Sequence, residues 1–310
     1  MKNLRVVFMG TPEFAVPVLK TLIENTNVEL VVTQPDAPVG RKKVLTPSPI
    51  KQVADYYNIE VITPNNIKED YERIIDINPD IIITCAYGQI IPKILLDLPK
   101  HKCVNVHASL LPKYRGGAPI HASILNGDEE TGITIMYMDT GMDDGNIIKQ
   151  ESIKILDEDN INTLSDKLSK LGASLLIETL PSILNGTCDN LKQDNDKVTF
   201  AYVIKRKDEV IDFNKSYKEI FNQVRALLPR SYFTLNGIEY KVVNVRYESN
   251  NGEVGKINNI YKDGIGIGCT DGEVVITEFI PSGKKQMLIS SFLNGCDKNK
   301  LLGVSVNEER

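Results

Sequence analysis

Apolar residues in the first 140 or so positions gather in short, nearly unbroken runs separated by amphipathic stretches. Runs at 4–9 (LRVVFM), 28–33 (VELVVT), 80–86 (DIIITCA), 103–108 (CVNVHA) and 132–138 (GITIMYM) predict strands. They show little polar alternation, which predicts a parallel sheet covered on both faces. After the turn Gly10-Thr11-Pro12, the residues Phe14, Val18, Leu22 and Ile23 recur at helical spacing. Further helices are expected near 48–58, 67–77 and 118–126. Strand and helix in alternation predict an α/β fold with a doubly wound, Rossmann-like open sheet, whose ligands bind beyond the carboxyl ends of the strands.

The pattern changes after a helix predicted to end near Leu184-Asn185-Gly186. Residues 190–207 are polar and aperiodic and read as a linker. One helix follows (SYKEIFNQVRALL), then short alternating runs separated by Asn-Gly and Asp-Gly pairs. Such pairs close hairpins, so a small OB-like β-barrel is expected. The predicted domains are residues 1–189, a linker at 190–207, and 208–310.

Composition narrows the classes. The chain has 310 residues, 42% apolar and 25% charged, an ordinary soluble balance. No apolar run approaches the roughly 20 residues of a membrane span, and the N-terminus lacks a signal-peptide pattern. Five cysteines are scattered and never spaced as CxxC, which argues against a disulfide framework or a structural zinc. A cytoplasmic protein is expected, and nothing demands more than a monomer. The net charge is −5. From Lys207 onward 14 basic residues balance 14 acidic ones, so the acidic excess lies before it. A nucleic acid would have to meet the local clusters Arg41-Lys42-Lys43 and Lys205-Arg206-Lys207.

The densest polar cluster is CVNVHASLLPKYRGGAPI, residues 103–120. Asn105 and His107 lie two apart at a strand end and so point to one sheet face, just before a glycine-rich loop. Buried polar groups there need partners or a task. In MDTGMDDGN, residues 138–146, Asp139, Asp143 and Asp144 follow the next strand. Neighbouring strand ends would bring Asp143 near His107, where a carboxylate can orient an imidazole. The stretch 33–51 reads as a long proline-stiffened loop carrying three consecutive bases, a length that is often functional. No GxGxxG or P-loop lysine accompanies the first strand, so a dinucleotide or ATP site is poorly supported.

FMGTPEFAVPVL, QPDAPVGRKKVLTPSPIK, NVHASLLPKYRGGAPI and GMDDG together resemble the folate-dependent formyltransferases. The GTPEF turn and the basic loop are similar to the branch that acts on tRNA. The resemblance implies a formyl transfer from 10-formyltetrahydrofolate to the amino group of initiator Met-tRNA, without a metal. It implies that Asn105, His107 and Asp143 are catalytic and that Ser109, Leu110, Leu111 and Pro112 contact folate. It further implies that the loop around Arg41, Lys42 and Lys43 reaches the acceptor end of the tRNA, with Lys205, Arg206 and Lys207 gripping phosphates. Tyr114 stands where tryptophan is common, and the loop reads GRKK where many members read GRGKK. Hydrolysis of formyl-folate and transfer to an amino sugar share the same trio. A non-enzymatic RNA-binding module is the remaining alternative.

Overall fold

Apolar runs become the strands of a seven-stranded sheet in the first of two units. The structure, a computed structural model, describes residues 1–40 and 42–308. The first unit joins Met1–Pro119, Glu130–Lys154 and Leu164–Tyr202; the second takes Ile120–Glu129, Ile155–Thr163 and the chain from Val203.

In chain order the first half runs β1 (Arg5–Gly10), α1 (Val16–Asn25), β2 (Asn27–Val32), β3 (Ala37–Val39), β4 (Val44–Thr46) and α2 (Pro49–Tyr56). It continues through β5 (Glu60–Ile62), α3 (Glu72–Ile77), β6 (Ile81–Cys85), α4 (Lys93–Leu96), β7 (Cys103–His107) and α5 (Pro119–Leu125). Then come β8 (Glu130–Tyr137), β9 (Ile147–Lys154) and α6 (Ile161–Asn185). The sheet order is β5-β2-β1-β6-β7-β8-β9. From β5 to β7 the strands are parallel; β8 runs antiparallel to both of its neighbours, β7 and β9. The apolar run of β8 was expected to be parallel. An apolar run reports burial on both faces, not direction, and β8 is buried along Thr131–Met136 while pointing the other way.

The polar stretch expected as a linker is largely built into the first unit. Leu191 pairs with Ile147, and Thr199 to Ala201 run beside Arg115. Only from Val203 does the chain belong to the second unit, which also draws in the two short segments around α5 and the start of α6.

The second unit holds α7 (Tyr217–Ala226), β10 (Tyr232–Leu235), β11 (Ile238–Glu248), β12 (Ile257–Ile260), β13 (Ile265–Cys269), β14 (Gly272–Pro281), β15 (Met287–Leu288) and α8 (Ile289–Leu293). Its antiparallel six-stranded sheet curls into a half-barrel. The turn Asn236-Gly237 has both residues at positive φ, the geometry that matches strand twist in a two-residue hairpin. Phe233, Tyr240 and Phe279 stack inside with centroid separations of 5.5 and 5.4 Å. Among the described residues no helix is long and apolar enough to cross a membrane.

One packing detail positions the polar end of β7. Gly172 of α6 lies so close to that strand that a Cβ would meet Val106 Cγ1 at 2.8 Å. The helix therefore seals the β7 face opposite Asn105 and His107. Gly172→Val should force the two apart and destabilise the protein by about 1–3 kcal/mol in denaturant unfolding. Unchanged stability would mean that the helix does not set the strand's position.

Candidate active site

The register of β7 sets Asn105 beside Thr84 of β6 and His107 opposite Thr134 of β8. Both side chains are nearly enclosed, 9% and 6% exposed. Thr84 Oγ1 donates to Asn105 Oδ1 at 2.8 Å. That bond fixes the rotation of the amide and leaves its N–H groups without a protein acceptor among the described residues.

Past β7 the chain turns through Tyr114, whose φ of +61° is unusual for a bulky residue. The turn is held from both ends. The Tyr114 N–H donates to Thr199 Oγ1 at 2.9 Å, and its carbonyl lies 3.0 Å from His107 Nε2. A carbonyl oxygen only accepts, so Nε2 carries the proton. In the neutral ring Nδ1 is then bare, and it faces Asp143 Oδ2 at 3.7 Å. Two acceptors confront each other there. An N–H group entering between them would meet an acceptor on either side.

Asp143 is itself fixed, at φ +47° in the loop after β8. Its Oδ2 accepts from the Gly116 N–H at 2.8 Å. Gln193 Nε2 donates to the carbonyls of Asp143 and Gly145, each at 2.8 Å. Gln193 Oε1 accepts from Arg115 Nε and Nη2 at 3.0 and 2.8 Å. Main-chain bonds complete the clamp: Arg115 N–H to Thr199 O, Ala201 N–H to Arg115 O and Ala118 N–H to Ala201 O. Gly116 at φ +115° is required here, because a Cβ would sit 2.8 Å from Ala201 O. The clamp residues Arg115, Gln193 and Thr199 were not singled out from sequence. Two lie in an aperiodic polar stretch, and a lone buried glutamine leaves no spacing signal.

Asn105, His107 and Asp143 are thus assembled at the carboxyl end of β7, while Asp139 and Asp144 stay exposed. In the Ser109–Pro112 segment, Ser109 and Leu111 are turned inward. The Ser109 hydroxyl donates to the Lys113 carbonyl, and Thr134 Oγ1 bonds the Ser109 carbonyl and the Leu111 N–H. Leu110 and Pro112 remain partly accessible. A cleft of about 630 Å³ opens beyond β1 and β6, lined by Thr11, Gln34, Asn65, Lys68 and Gln89 among others.

The stretch 33–51 is not an irregular loop. β3 and β4 form a hairpin, with Lys42 and Lys43 exposed at its tip and Val39, Val44 and Leu45 more than half exposed. Arg41 lies outside the described residues. In the second unit Lys205 and Lys207 are exposed, but Arg206 is committed. It pairs with Glu209 and Glu239 and stacks on Tyr232 at 4.0 Å. The hydrogen bond it donates to Glu209 raises its pKa.

A sequence model of the formyl transferase family matches residues 3–180, and one of the formyl transferase C-terminal domain matches residues 203–297. The chain belongs to the formyl transferase family. Methionyl-tRNA formyltransferase of Staphylococcus aureus strain MW2 is 47% identical over 306 residues, covering 96% of this chain and 98% of that one. Among solved structures, the sugar 3N-formyl transferase WlaRD, crystallised with dTDP and 5-N-formyl-THF, superposes with a TM-score of 0.67 at 23% identity. The match covers 92% of this chain and all (100%) of WlaRD. An N-formyltransferase from Helicobacter canadensis, in complex with folinic acid and dTDP-3-aminofucose, gives 0.65 at 24% identity, covering 93% of this chain and 100% of that one. These two likenesses establish the fold of this formyl transferase.

Gln193→Ala would strip the buried Arg115 of its acceptor and the Asp143 loop of its two donated bonds. It should lower stability by about 1–3 kcal/mol and speed amide hydrogen exchange at residues 143–145. Exchange matching the parent protein would show that the clamp does not hold the loop.

Proposed function

We propose that this formyl transferase moves the formyl group of 10-formyltetrahydrofolate onto the α-amino group of methionine carried by initiator tRNA. Near-full-length identity of 47% to a methionyl-tRNA formyltransferase supports the acceptor. The observation that carries the chemistry is the pairing of uncommitted Asn105 N–H groups with a bare His107 Nδ1 facing Asp143.

The neutral amine attacks the formyl carbon, and the carbonyl oxygen gathers negative charge in a tetrahedral intermediate. An Asn105 N–H, already rotated into place by Thr84, donates to that oxygen without reorganisation. The amine sheds a proton as its C–N bond forms. His107 Nδ1 receives it, Asp143 stabilises the resulting imidazolium, and the proton passes to the folate nitrogen as the old C–N bond breaks. Because Nε2 is occupied by Tyr114, neutral His107 does not serve as a donor to the oxyanion through that atom. The donor lies along Ser109–Pro112, with Leu110 and Pro112 offering the accessible contact. No metal is needed for these steps.

The tRNA backbone is met by Lys42, Lys43, Lys205 and Lys207, with Arg41 completing the first cluster. Arg206 keeps a structural task, because a phosphate would have to displace two carboxylates to reach it.

Formyl transfer is tested with labelled 10-formyltetrahydrofolate and methionine-charged initiator tRNA, elongator Met-tRNA serving as control. Label is expected on the initiator methionine alone. Folate turnover without tRNA would point to the hydrolase instead, and no turnover would refute the proposal. Asn105→Ala should reduce kcat by about 10²–10³-fold in a folded protein, and full activity would remove it from the mechanism. Lys42→Ala and Lys207→Ala should each flatten the dependence of log affinity for tRNA on log salt by about 1. Unaltered slopes would take those lysines off the phosphates.

A further inference from the structure

Phe200 and Tyr202 lie on the clamp that holds the reactive loop, and neither is used by it. The residues of this segment alternate: Ala201 is turned in and almost fully buried, while Phe200 and Tyr202 are 49% and 71% exposed. Their rings stack on each other, 5.9 Å apart and within 14° of parallel. The segment is anchored to Arg115 and Ala118 by main-chain bonds of 2.8 to 3.1 Å. The next residue after Arg115, Gly116, donates to Asp143. Met142, also exposed, adjoins Gly116. Two aligned aromatic faces are thus presented to solvent on the segment whose main chain bonds Arg115, the residue before the Gly116 that donates to Asp143. Lys113 is exposed on the same loop.

We propose that Phe200 and Tyr202 form a stacking platform for a base of the unpaired 3′ end of the acceptor strand, with the outer face of Tyr202 making the contact. This rests on the reading of the acceptor as an aminoacyl-tRNA. Phe200 backs Tyr202 and holds its ring in one orientation, so less freedom is lost when a base lands. Every base has a π-face, so stacking suits a single-stranded end that must be guided to His107 and Asp143 without sequence readout. A second copy of this chain fits less well. Two rings supply at most about 150–250 Å² each, far below the roughly 800 Å² per partner of a stable interface. Within five residues of Tyr202 the chain also carries Lys205 and Lys207, which suit a polyanion.

The test uses the full-length protein with Phe200→Leu/Tyr202→Leu, which keeps apolar area and removes both π-faces, and Tyr202→Phe, which keeps them. Two readouts are taken: KM for initiator Met-tRNA, and binding of the single-stranded tetranucleotide 5′-ACCA-3′. Loss of a stacked base corresponds to about 5- to 150-fold. The double leucine variant is expected to raise KM and weaken tetranucleotide binding within that range, with the rise in KM exceeding any fall in kcat. Tyr202→Phe should stay close to the parent in both. Equal tetranucleotide binding by the parent and the leucine variant overturns the platform, whether or not Met-tRNA is formylated. Transfer by the parent with an unchanged KM in the leucine variant also overturns it while leaving the proposed activity standing. Absence of transfer by the parent, with tetranucleotide binding still lost in the leucine variant, fails the proposed activity and supports the platform. Dissociation of a parental dimer by the leucine variant, without a change in tetranucleotide binding, would assign the surface to a second copy.

Discussion

The bond from His107 Nε2 to the Tyr114 carbonyl is the constraint on which the rest of the site depends. It ties the ring to a residue in a left-handed conformation and fixes which imidazole nitrogen is bare. It thereby decides that the ring presents an acceptor, not a donor, to Asp143. The strain of such a backbone persists only where surrounding bonds over-determine it. Thr199 supplies one of those bonds, and residues 115–118 bind the same segment by their main chain. A segment far along the sequence thus holds the turn that orients the histidine.

A second consequence concerns charge. Asp143 Oδ2 stands 3.7 Å from Nδ1, beyond hydrogen-bond distance, and already accepts from the Gly116 N–H. Nδ1 is thereby left open to the amine, with a carboxylate beyond it. Asn105 is prepared in the complementary sense, as a donor whose own oxygen is occupied. Donor and acceptor therefore sit two residues apart on one strand, each preset by a neighbour.

Much of this was legible in the sequence, and the failures have physical causes. The strands β1, β2, β6 and β7 showed as apolar runs because both their faces are covered. The hairpins of the second unit showed through turns such as Asn236-Gly237. Strand direction did not show in β8, since burial is blind to polarity of the chain. β9, IIKQESIK, is a sheet edge with exposed polar positions and no run to detect. Likewise, the β3–β4 arm hid behind its prolines and lysines. The Asn105 and His107 pairing followed from strand alternation, and proximity of Asp143 from adjacent strand ends. Gln193 and Thr199 did not follow from anything local, because their partners are distant main-chain groups and one guanidinium, that of Arg115, 78 residues away. Likewise the commitment of Arg206 is invisible in a run of three bases.

The protonation state of His107 is the point on which the mechanism turns, and it can be observed directly. With nitrogen-15 in the histidine rings, His101 and His121 are assigned by substitution and the remaining signals belong to His107. Two-bond proton–nitrogen spectra above its titration then report which nitrogen bears hydrogen. Protonated Nε2 with bare Nδ1 is the predicted result. A ring protonated at Nδ1 with Nε2 bare would contradict the account, because Asp143 would then hold a donor and no base would face the amine.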